Sequence, residues 1–303
     1  MLPQGQGSIR LGRVAGINLY LHWSWFVVAM IEISSRRGYY ASRVWNVLEY
    51  LSLFLIVLLH EFGHAAACRS VGGKADEIVL WPLGGVAYVA PPPRPGATLW
   101  SIVAGPLVNA ILLPVLWGLD IAARHAGWVL EMPDLVVFLR TLLIINVGLL
   151  VFNLLPIYPL DGGQIVRSLL WFVIGRARSL AAASIIGFIG VAGLALFAWW
   201  MQSVWIGIMA LFIVGNCWRG LQHARTLARL DAAPRREGFA CPHCGNAPPL
   251  GIVLACARCR KTYDPWESAG LCPHCGTASA MVPCLECGHR SPVTAWRPPP
   301  PVG

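Results

Sequence analysis

Long apolar runs with few charged residues divide this chain. A helix of about 20 apolar residues crosses the hydrocarbon core of a bilayer, so runs of this length predict membrane spans. We predict six spans, at about 14–31, 44–68, 98–119 and 135–155, with two antiparallel helices in the uncharged run 180–218. The pattern therefore predicts an all-α polytopic membrane protein over residues 1–220.

Two segments outside these helices have a different pattern. Residues 8–16 alternate weakly between apolar and polar, which predicts a short strand or an interfacial arm. Residues 77–89 contain two β-prone pieces around Pro82 and Gly84-Gly85, which predicts a short β-hairpin-like re-entrant segment. Two interpretations of this hairpin remain open: an edge that holds an extended peptide by strand addition, or only an interfacial loop.

The polar tail contains four Cys-x-x-Cys pairs, a spacing that is typical of structural zinc sites. These pairs are Cys241 and Cys244, Cys256 and Cys259, Cys272 and Cys275, and Cys284 and Cys287. We predict that the first pair shares a zinc ion with the second, and the third with the fourth; an interleaved arrangement is the open alternative. The predicted boundaries are a linker at 221–238, a double zinc ribbon at 239–292 and a disordered tail at 293–303.

The composition agrees with a membrane protein that has a polar tail. Hydrophobic residues make up 56% of the chain and charged residues 12%, against about 25% charged in soluble domains. The net charge is +9, but the arginines are scattered between apolar runs, so lipid contact and topology explain them better than nucleic acid. The loops on one side of the six predicted spans carry 13 Lys and Arg against 4 on the other, which predicts that both termini are cytoplasmic.

The motif His60-Glu61-Phe62-Gly63-His64 follows directly after the apolar run 51–59. Residues four apart share one face of a helix, so His60 and His64 can bind one zinc ion. Glu61 would lie beside this metal, where a carboxylate can take a proton from zinc-bound water. Because polar side chains are costly at membrane depth, this trio predicts a functional site.

A second motif precedes the fifth predicted span. Pro156 and Pro159 end the fourth span, so Asp161 lies on a tight turn before Gly162-Gly163. Catalytic zinc usually has three protein ligands, so Asp161 is the candidate third ligand; the alternative is a helix cap. In the six-span topology the ends of the second and fourth spans meet near the cytoplasmic face, which brings Asp161 to the two histidines.

Other polar side chains also lie in the predicted spans. Asn109 needs a hydrogen-bonding partner at membrane depth, and Asn146 and Asn153 are seven residues apart on one helix face. Cys68 and His22 are further candidate metal ligands. For Cys68 we favour packing as a buried small residue, and for His22 an interfacial hydrogen bond.

With these motifs the chain resembles the site-2 protease family of intramembrane zinc metalloproteases, and most closely its compact six-span branch. The matching segments are 60–64, 105–109 and 153–163, together with 9–26 as the amino-terminal approach. The tail lies outside this similarity and resembles the double zinc ribbons of many bacterial proteins. The resemblance implies a multi-pass protein of a bacterial cell membrane that cleaves a membrane-anchored protein substrate near the cytoplasmic face, in regulated intramembrane proteolysis.

The resemblance also implies residue roles. His60, His64 and Asp161 would hold the catalytic zinc, and Glu61 would act as general base and then as general acid. Asn153 would orient the substrate or stabilise the oxyanion, and Asn109 would bind substrate. With one zinc ion per ribbon unit, the prediction is three zinc ions per chain, one catalytic and two structural.

Two other functional classes remain open from the sequence. One is a catalytically silent membrane scaffold with the zinc ribbons as its interaction module. The other is a metal-dependent hydrolase that acts on lipid. For every class, the tail is a candidate binding module for protein or nucleic acid, and we favour a protein regulator.

Overall fold

The structure is a computed structural model that describes residues 7–35, 38–81, 84–251, 254–279 and 281–296. The membrane domain contains β1 Ser8–Val14, β2 Ile17–His22, α1 Ser24–Ser35, α2 Arg43–Ser70, β3 Lys74–Trp81, β4 Gly84–Ala90, α3 Pro95–His125, α4 Trp128–Glu131, α5 Pro133–Leu154, α6 Asp161–Ile174, α7 Arg176–Trp200 and α8 Val204–Ala232. The tail contains β5 Leu254–Ala255, β6 Thr262–Tyr263, β7 Val282–Pro283, β8 Arg290–Ser291 and a 3₁₀ helix at Val293–Trp296.

Five of the described helices are long and apolar enough to cross a membrane, namely α2, α3, α5, α7 and α8. Their outer faces expose large apolar side chains; Trp199 and Trp200 are each 75% exposed and Leu211 is 74% exposed. In water such surfaces would form a large apolar patch, whereas lipid covers them without penalty. The predicted fold class, a mostly helical multi-pass membrane protein with a zinc-ribbon module, is confirmed.

The predicted first span is wrong as a helix. Residues 17–22 form strand β2, in which Ile17, Leu19 and Leu21 are buried and the residues between them are partly exposed. This period of two is the pattern of a strand. Only the 12 residues of α1 are helical in this region, and they cover about 18 Å, which is too short to cross the hydrocarbon core.

The chain nevertheless passes along the bundle between residues 16 and 41. At one end, the Arg69 guanidinium near the end of α2 donates to the carbonyl oxygens of Ala15 (2.6 Å) and Gly16 (3.1 Å). At the other end, the Ala41 N–H donates to the Asp134 carboxylate at the start of α5 (3.1 Å). The predicted first pass is therefore made by a strand and a half-length helix together.

The four strands of the membrane domain form one sheet in the order β1-β2-β3-β4. β1 and β2 are antiparallel, β2 and β3 parallel, and β3 and β4 antiparallel. The predicted hairpin at 77–89 is the β3–β4 pair, whose turn at 82–83 lies outside the described residues. Ile78 and Leu80 pack with Ala65 and Cys68 of α2. This core holds β4, an edge strand, against the second half of α2.

Close packing joins α2 to α3. A Cβ at Gly63 would lie 2.6 Å from the Ala104 carbonyl oxygen, so only glycine allows the two helices to approach this closely here. The approach turns the histidine face of α2 towards α3. The other side of the bundle is completed by the antiparallel pair α7 and α8.

Candidate active site and structural metal sites

Helix α2 places the three polar residues of the first motif inside the bundle. His60, Glu61 and His64 are each 6% exposed. The two imidazoles are one helical turn apart, and their Nε2 atoms are 3.1 Å from each other. The predicted helical arrangement of this pair is therefore present in the structure.

Asp161 reaches the histidine pair from the first turn of α6. Its Oδ2 lies 3.0 Å from His60 Nε2 and 3.4 Å from His64 Nε2. A Cβ at Gly162 would overlap the main chain at Leu154, so the small residue allows α6 to start against the end of α5. The structure thus brings together the three predicted ligands, which lie on distant parts of the chain.

The dimensions of this triad fit a zinc ion. Zinc–ligand bonds of about 2.0–2.1 Å in a tetrahedral arrangement place ligand atoms about 3.3 Å apart. The three separations of 3.0, 3.1 and 3.4 Å bracket this value. Asp161 Oδ2 is buried without a hydrogen-bond donor among the described residues, which is costly unless a cation lies beside it. The carboxylate is therefore not explained as a helix cap.

The second nitrogen of each imidazole has its own partner. His64 Nδ1 lies 2.8 Å from the Ser101 carbonyl oxygen, and His60 Nδ1 lies 2.6 Å from Asn109 Oδ1. A carbonyl oxygen only accepts hydrogen bonds, so His64 carries its proton on Nδ1 and leaves Nε2 free for a metal.

Asn109 forms hydrogen bonds inside the protein, and its substrate-binding role stays a prediction. It is fully buried, and its Nδ2 donates to Asn146 Oδ1 at 2.8 Å while its Oδ1 faces His60. Both ends of the amide are engaged within the protein, so the side chain supports a candidate ligand. Its need for a partner was visible in the sequence, whereas the identity of that partner was not.

Strand β4 lies directly against Glu61. The Ala87 N–H donates to Glu61 Oε2 at 2.8 Å, which fixes the direction of the carboxylate. A Cβ at Gly85 would lie 2.5 Å from Glu61 Oε1, so this position requires glycine. Sequence reasoning did not assign Gly85 and Ala87 to the site. The available signal was a glycine in a β-prone segment, which often marks a close backbone approach.

The remaining candidates lie outside the triad. Asn153 is partly buried in the last turn of α5, and among the described residues its side chain forms no hydrogen bond; its catalytic role stays a prediction. Cys68 is fully buried and its thiol contacts the Lys74 carbonyl oxygen at 3.4 Å. His22 stacks on Trp81 with ring centroids 4.1 Å apart and hydrogen-bonds Ser24. For Cys68 and His22 the structure shows the packing and hydrogen bonding that we favoured.

The tail contains two groups of four thiols, but the predicted pairing is wrong. Cys241 and Cys244 lie with Cys284 and Cys287, and the second and third pairs form the other group. The closest Sγ–Sγ distances between pairs are 3.6–3.7 Å, near the about 3.8 Å expected for ligands 2.3 Å from a tetrahedral zinc. The two sites are therefore nested in the sequence: the first and fourth pairs form the outer site, and the second and third pairs form the inner site.

Cys275, in the group formed by the second and third pairs, has hydrogen-bonding partners that favour its thiolate. The hydroxyl and the main chain of Thr277 hydrogen-bond to Cys275 and lower the pKa of its thiol to about 6. A thiolate is the form that binds zinc.

The first part of the predicted disordered tail is ordered. Residues 293–296 form a 3₁₀ helix, and Trp296 is 1% exposed and packs on Trp266 with ring centroids 5.2 Å apart. The Ala240 N–H donates to the Trp296 carbonyl oxygen, which ties both ends of the ribbon together. The ribbon therefore extends at least to residue 296, and residues 297–303 lie outside the described residues.

The ribbon also contacts the membrane domain. The Arg176 guanidinium at the start of α7 donates to the Leu285 carbonyl oxygen between two outer-site cysteines, at 3.4 Å. This contact places the outer metal-binding turn at the end of the bundle where α6 passes into α7.

The nested pairing predicts how zinc content responds to paired substitutions. Cys241→Ser combined with Cys284→Ser damages one site, so we expect the loss of one zinc ion per chain by elemental analysis. Cys241→Ser combined with Cys256→Ser damages both sites and should remove two. The opposite result, two ions lost in the first variant and one in the second, would restore the sequential pairing.

Comparison with known proteins agrees with this site. The profile of peptidase family M50 matches residues 49–124 and 119–197, which include the triad, Glu61, Asn109, Asn146 and Asn153. A zinc metalloprotease of Methanocaldococcus jannaschii is 35% identical over 212 residues, 68% of this chain and 58% of that protein. Rip3 of Mycobacterium tuberculosis is 31% identical over 230 residues, 68% of this chain and 56% of that protein.

A solved structure, the site-2 protease from Methanocaldococcus jannaschii, superposes with a TM-score of 0.49 at 28% identity, covering 71% of this chain and 95% of that one. The chain spans little more than half the length of the two curated relatives. The triad inside a bundle of membrane-spanning helices indicates a metallopeptidase site in a membrane protein. The chain belongs to peptidase family M50, the family of the site-2 proteases.

Proposed function

We propose that this protein is an intramembrane zinc metalloendopeptidase that cleaves a membrane-anchored protein near the cytoplasmic face. The observation that carries the proposal is the buried triad of His60 Nε2, His64 Nε2 and Asp161 Oδ2, 3.0–3.4 Å apart, next to Glu61. The zinc metalloprotease of Methanocaldococcus jannaschii, which is 35% identical to this chain, supports it.

The triad residues would hold the ion. When bound, zinc would supply Lewis-acid chemistry to a water molecule and to the scissile carbonyl group. Glu61 takes the proton of the attacking water and returns it to the leaving amine, as general base and then general acid. The Ala87 N–H holds its Oε2, so the carboxylate is oriented before the substrate arrives.

Strand β4 supports a mode of substrate binding. It is an edge strand of the sheet, and it lies against Glu61. A helical substrate must unwind before its carbonyl group is accessible, and an extended segment can add to a sheet edge through main-chain hydrogen bonds. Substrate binding along β4 would place the cleaved bond beside the triad. Asn153, in the last turn of α5, would orient the substrate or stabilise the oxyanion.

The remaining proposals concern topology and partners. The loops at the end of the bundle that carries Arg69 and the ribbon are richest in Lys and Arg, which supports a cytoplasmic location for this end in a bacterial cell membrane. The ribbon would hold two structural zinc ions, for a total of three per chain. A protein regulator that binds the ribbon would lie beside this end of the bundle, because Arg176 contacts the ribbon there.

Metal removal tests the proposed function. The purified protein is reconstituted with a membrane-anchored reporter, stripped with a chelator and supplied again with zinc or with magnesium. We expect cleavage to fall by at least about 100-fold on stripping and to return with zinc alone, because magnesium prefers oxygen ligands. Full cleavage by metal-free protein, verified by elemental analysis, would contradict the proposal.

His60→Ala provides the matched control for the structural ions. This variant keeps both cysteine sites, so it should retain two zinc ions and remain inactive when zinc is added. A silent scaffold would show no cleavage in any preparation, and a lipid hydrolase would release fatty acid instead of a reporter fragment.

A further inference from the structure

Two buried amides connect α3 and α5 behind the candidate ligand His60. Asn109 and Asn146 are both fully buried. Asn146 Nδ2 donates to the main-chain oxygen of Asn109 at 2.9 Å, and Asn109 Nδ2 donates to Asn146 Oδ1 at 2.8 Å. Asn109 Oδ1 then lies 2.6 Å from His60 Nδ1.

The direction of each hydrogen bond follows from the one before it. The main-chain oxygen of Asn109 can only accept, so the side-chain atom of Asn146 that faces it must be the NH₂ group. Asn146 Oδ1 therefore faces the side chain of Asn109 and requires its NH₂ group. This leaves Asn109 Oδ1 towards His60, where it must accept a hydrogen bond from Nδ1–H. One carbonyl group thus determines, through two amides, which nitrogen of His60 carries hydrogen.

The consequence for His60 is a free lone pair on Nε2, the atom that faces His64 and Asp161. With the Asn109 amide reversed, an NH₂ group would face Nδ1 and favour hydrogen on Nε2, which cannot then bind a metal. His64 needs no such arrangement, because its Nδ1 contacts a main-chain oxygen directly. The two ligands therefore differ in what orients them.

We propose that Asn146 is a positioning residue for the metal ligand His60 and acts through the orientation of the Asn109 amide. The inference rests on the proposed metal site, and it adds a role for α5 that the triad does not include. Outer partners of metal-bound histidines typically change metal affinity by about 10–100-fold when they are lost.

A double-mutant comparison in the full-length protein tests this role. Asn146→Leu should lower zinc affinity at the triad by about 10–100-fold in the wild-type background. In the Asn109→Asp background it should change the affinity by less than about 3-fold, because both oxygens of a carboxylate are acceptors and no orientation has to be chosen. Asn146→Asp should retain zinc better than Asn146→Leu, because a protonated carboxyl group at this buried position can donate its O–H to the Asn109 main-chain oxygen and still accept from Asn109 Nδ2.

The readout is zinc per chain after dialysis against graded chelator, with His60→Ala identifying the ion held by the triad. Thr141→Val is the control, since Thr141 is a buried polar residue of α5 whose hydroxyl donates to the Val137 carbonyl oxygen. An equal loss in both backgrounds, or no loss in either, would overturn the positioning role while leaving the metal site intact. Equal zinc content in wild type and His60→Ala would overturn the metal site itself, and the role of Asn146 with it.

Discussion

Glu61→Gln is expected to abolish cleavage while leaving zinc content and expression unchanged. Glutamine is nearly isosteric and its amide oxygen can still accept the Ala87 N–H, which Glu61 Oε2 accepts at 2.8 Å in this structure. The amide cannot take a proton from water, so the general base and the general acid are lost together. Proton transfer by a positioned side chain contributes about 10²–10⁴-fold. We therefore expect a fall of at least about 1,000-fold in the single-turnover rate on a reconstituted membrane-anchored reporter.

Glu49→Gln is the matched control. Glu49 lies on the same helix, is 4% exposed and accepts the Tyr40 hydroxyl at 2.6 Å, far from the triad. This variant makes the same chemical change in a similarly buried environment, so its cleavage rate should stay within about 3-fold of wild type, as expected for a site outside the machinery. Equal cleavage by Glu61→Gln and wild type would remove Glu61 from the proposed chemistry.

Asp161→Asn is expected to lose zinc and cleavage together. The substitution keeps the size of the side chain but replaces an anionic oxygen, 3.0 Å from His60 Nε2, by a neutral amide. A neutral ligand neither matches the charge of the ion nor offsets its desolvation in the bundle. We expect zinc affinity at the triad to fall by at least about 100-fold, the upper range of the effect of outer partners, and cleavage to fall with it.

The measurement for Asp161→Asn is zinc per chain at graded chelator, followed by cleavage at saturating zinc. Asp120→Asn provides the comparison, because Asp120 is also buried and its partner Arg124 lies on the same helix, 2.9 Å away. Full zinc retention by Asp161→Asn would show that the carboxylate is not a ligand. Loss of zinc in both variants would point to general destabilisation.

The triad was predictable because each part has a local signal. His60 and His64 are four residues apart on a long apolar helix, and this spacing fixes their relation before any tertiary structure is known. Two prolines before Asp161 end α5. The two glycines after Asp161 allow α6 to pack against the end of α5. The Asn109–Asn146 pair lacked such a signal, since only packing of α3 against α5 selects that partner.

The first pass shows where composition was misleading. Residues 14–31 are uncharged and long enough for a spanning helix, which the total hydrophobicity favoured. Within this run, residues 17–22 have a period of two, and pairing with both β1 and β3 satisfies the main chain of β2. Strand pairing depends on residues 74–81, which are distant in the sequence, so a local analysis of the run could not reveal it.

The pairing of the tail cysteines could not be read from spacing. The segments between successive pairs contain 11, 12 and 8 residues, and any of these can close a zinc site. Packing of Trp266 and Trp296 with Cys241 and Cys284 brings the first and fourth pairs together and so selects the nested arrangement. Trp296 lies in the segment predicted to be disordered, and a disordered segment contributes nothing to the ribbon core.

The strand-and-half-helix first pass also determines how the bilayer meets this protein. α1 has 12 residues, so it rises about 18 Å against about 30 Å of hydrocarbon. Lipid tails offer no hydrogen bonds, so those main-chain groups at the edges of β1 and β4 that, unlike the Ala87 N–H, are not bonded within the described residues require headgroups or solvent beside them. The sheet packs on the half of α2 that carries Glu61. We therefore expect a thinned and hydrated bilayer beside the sheet. Water could reach the interior of the bundle through this region.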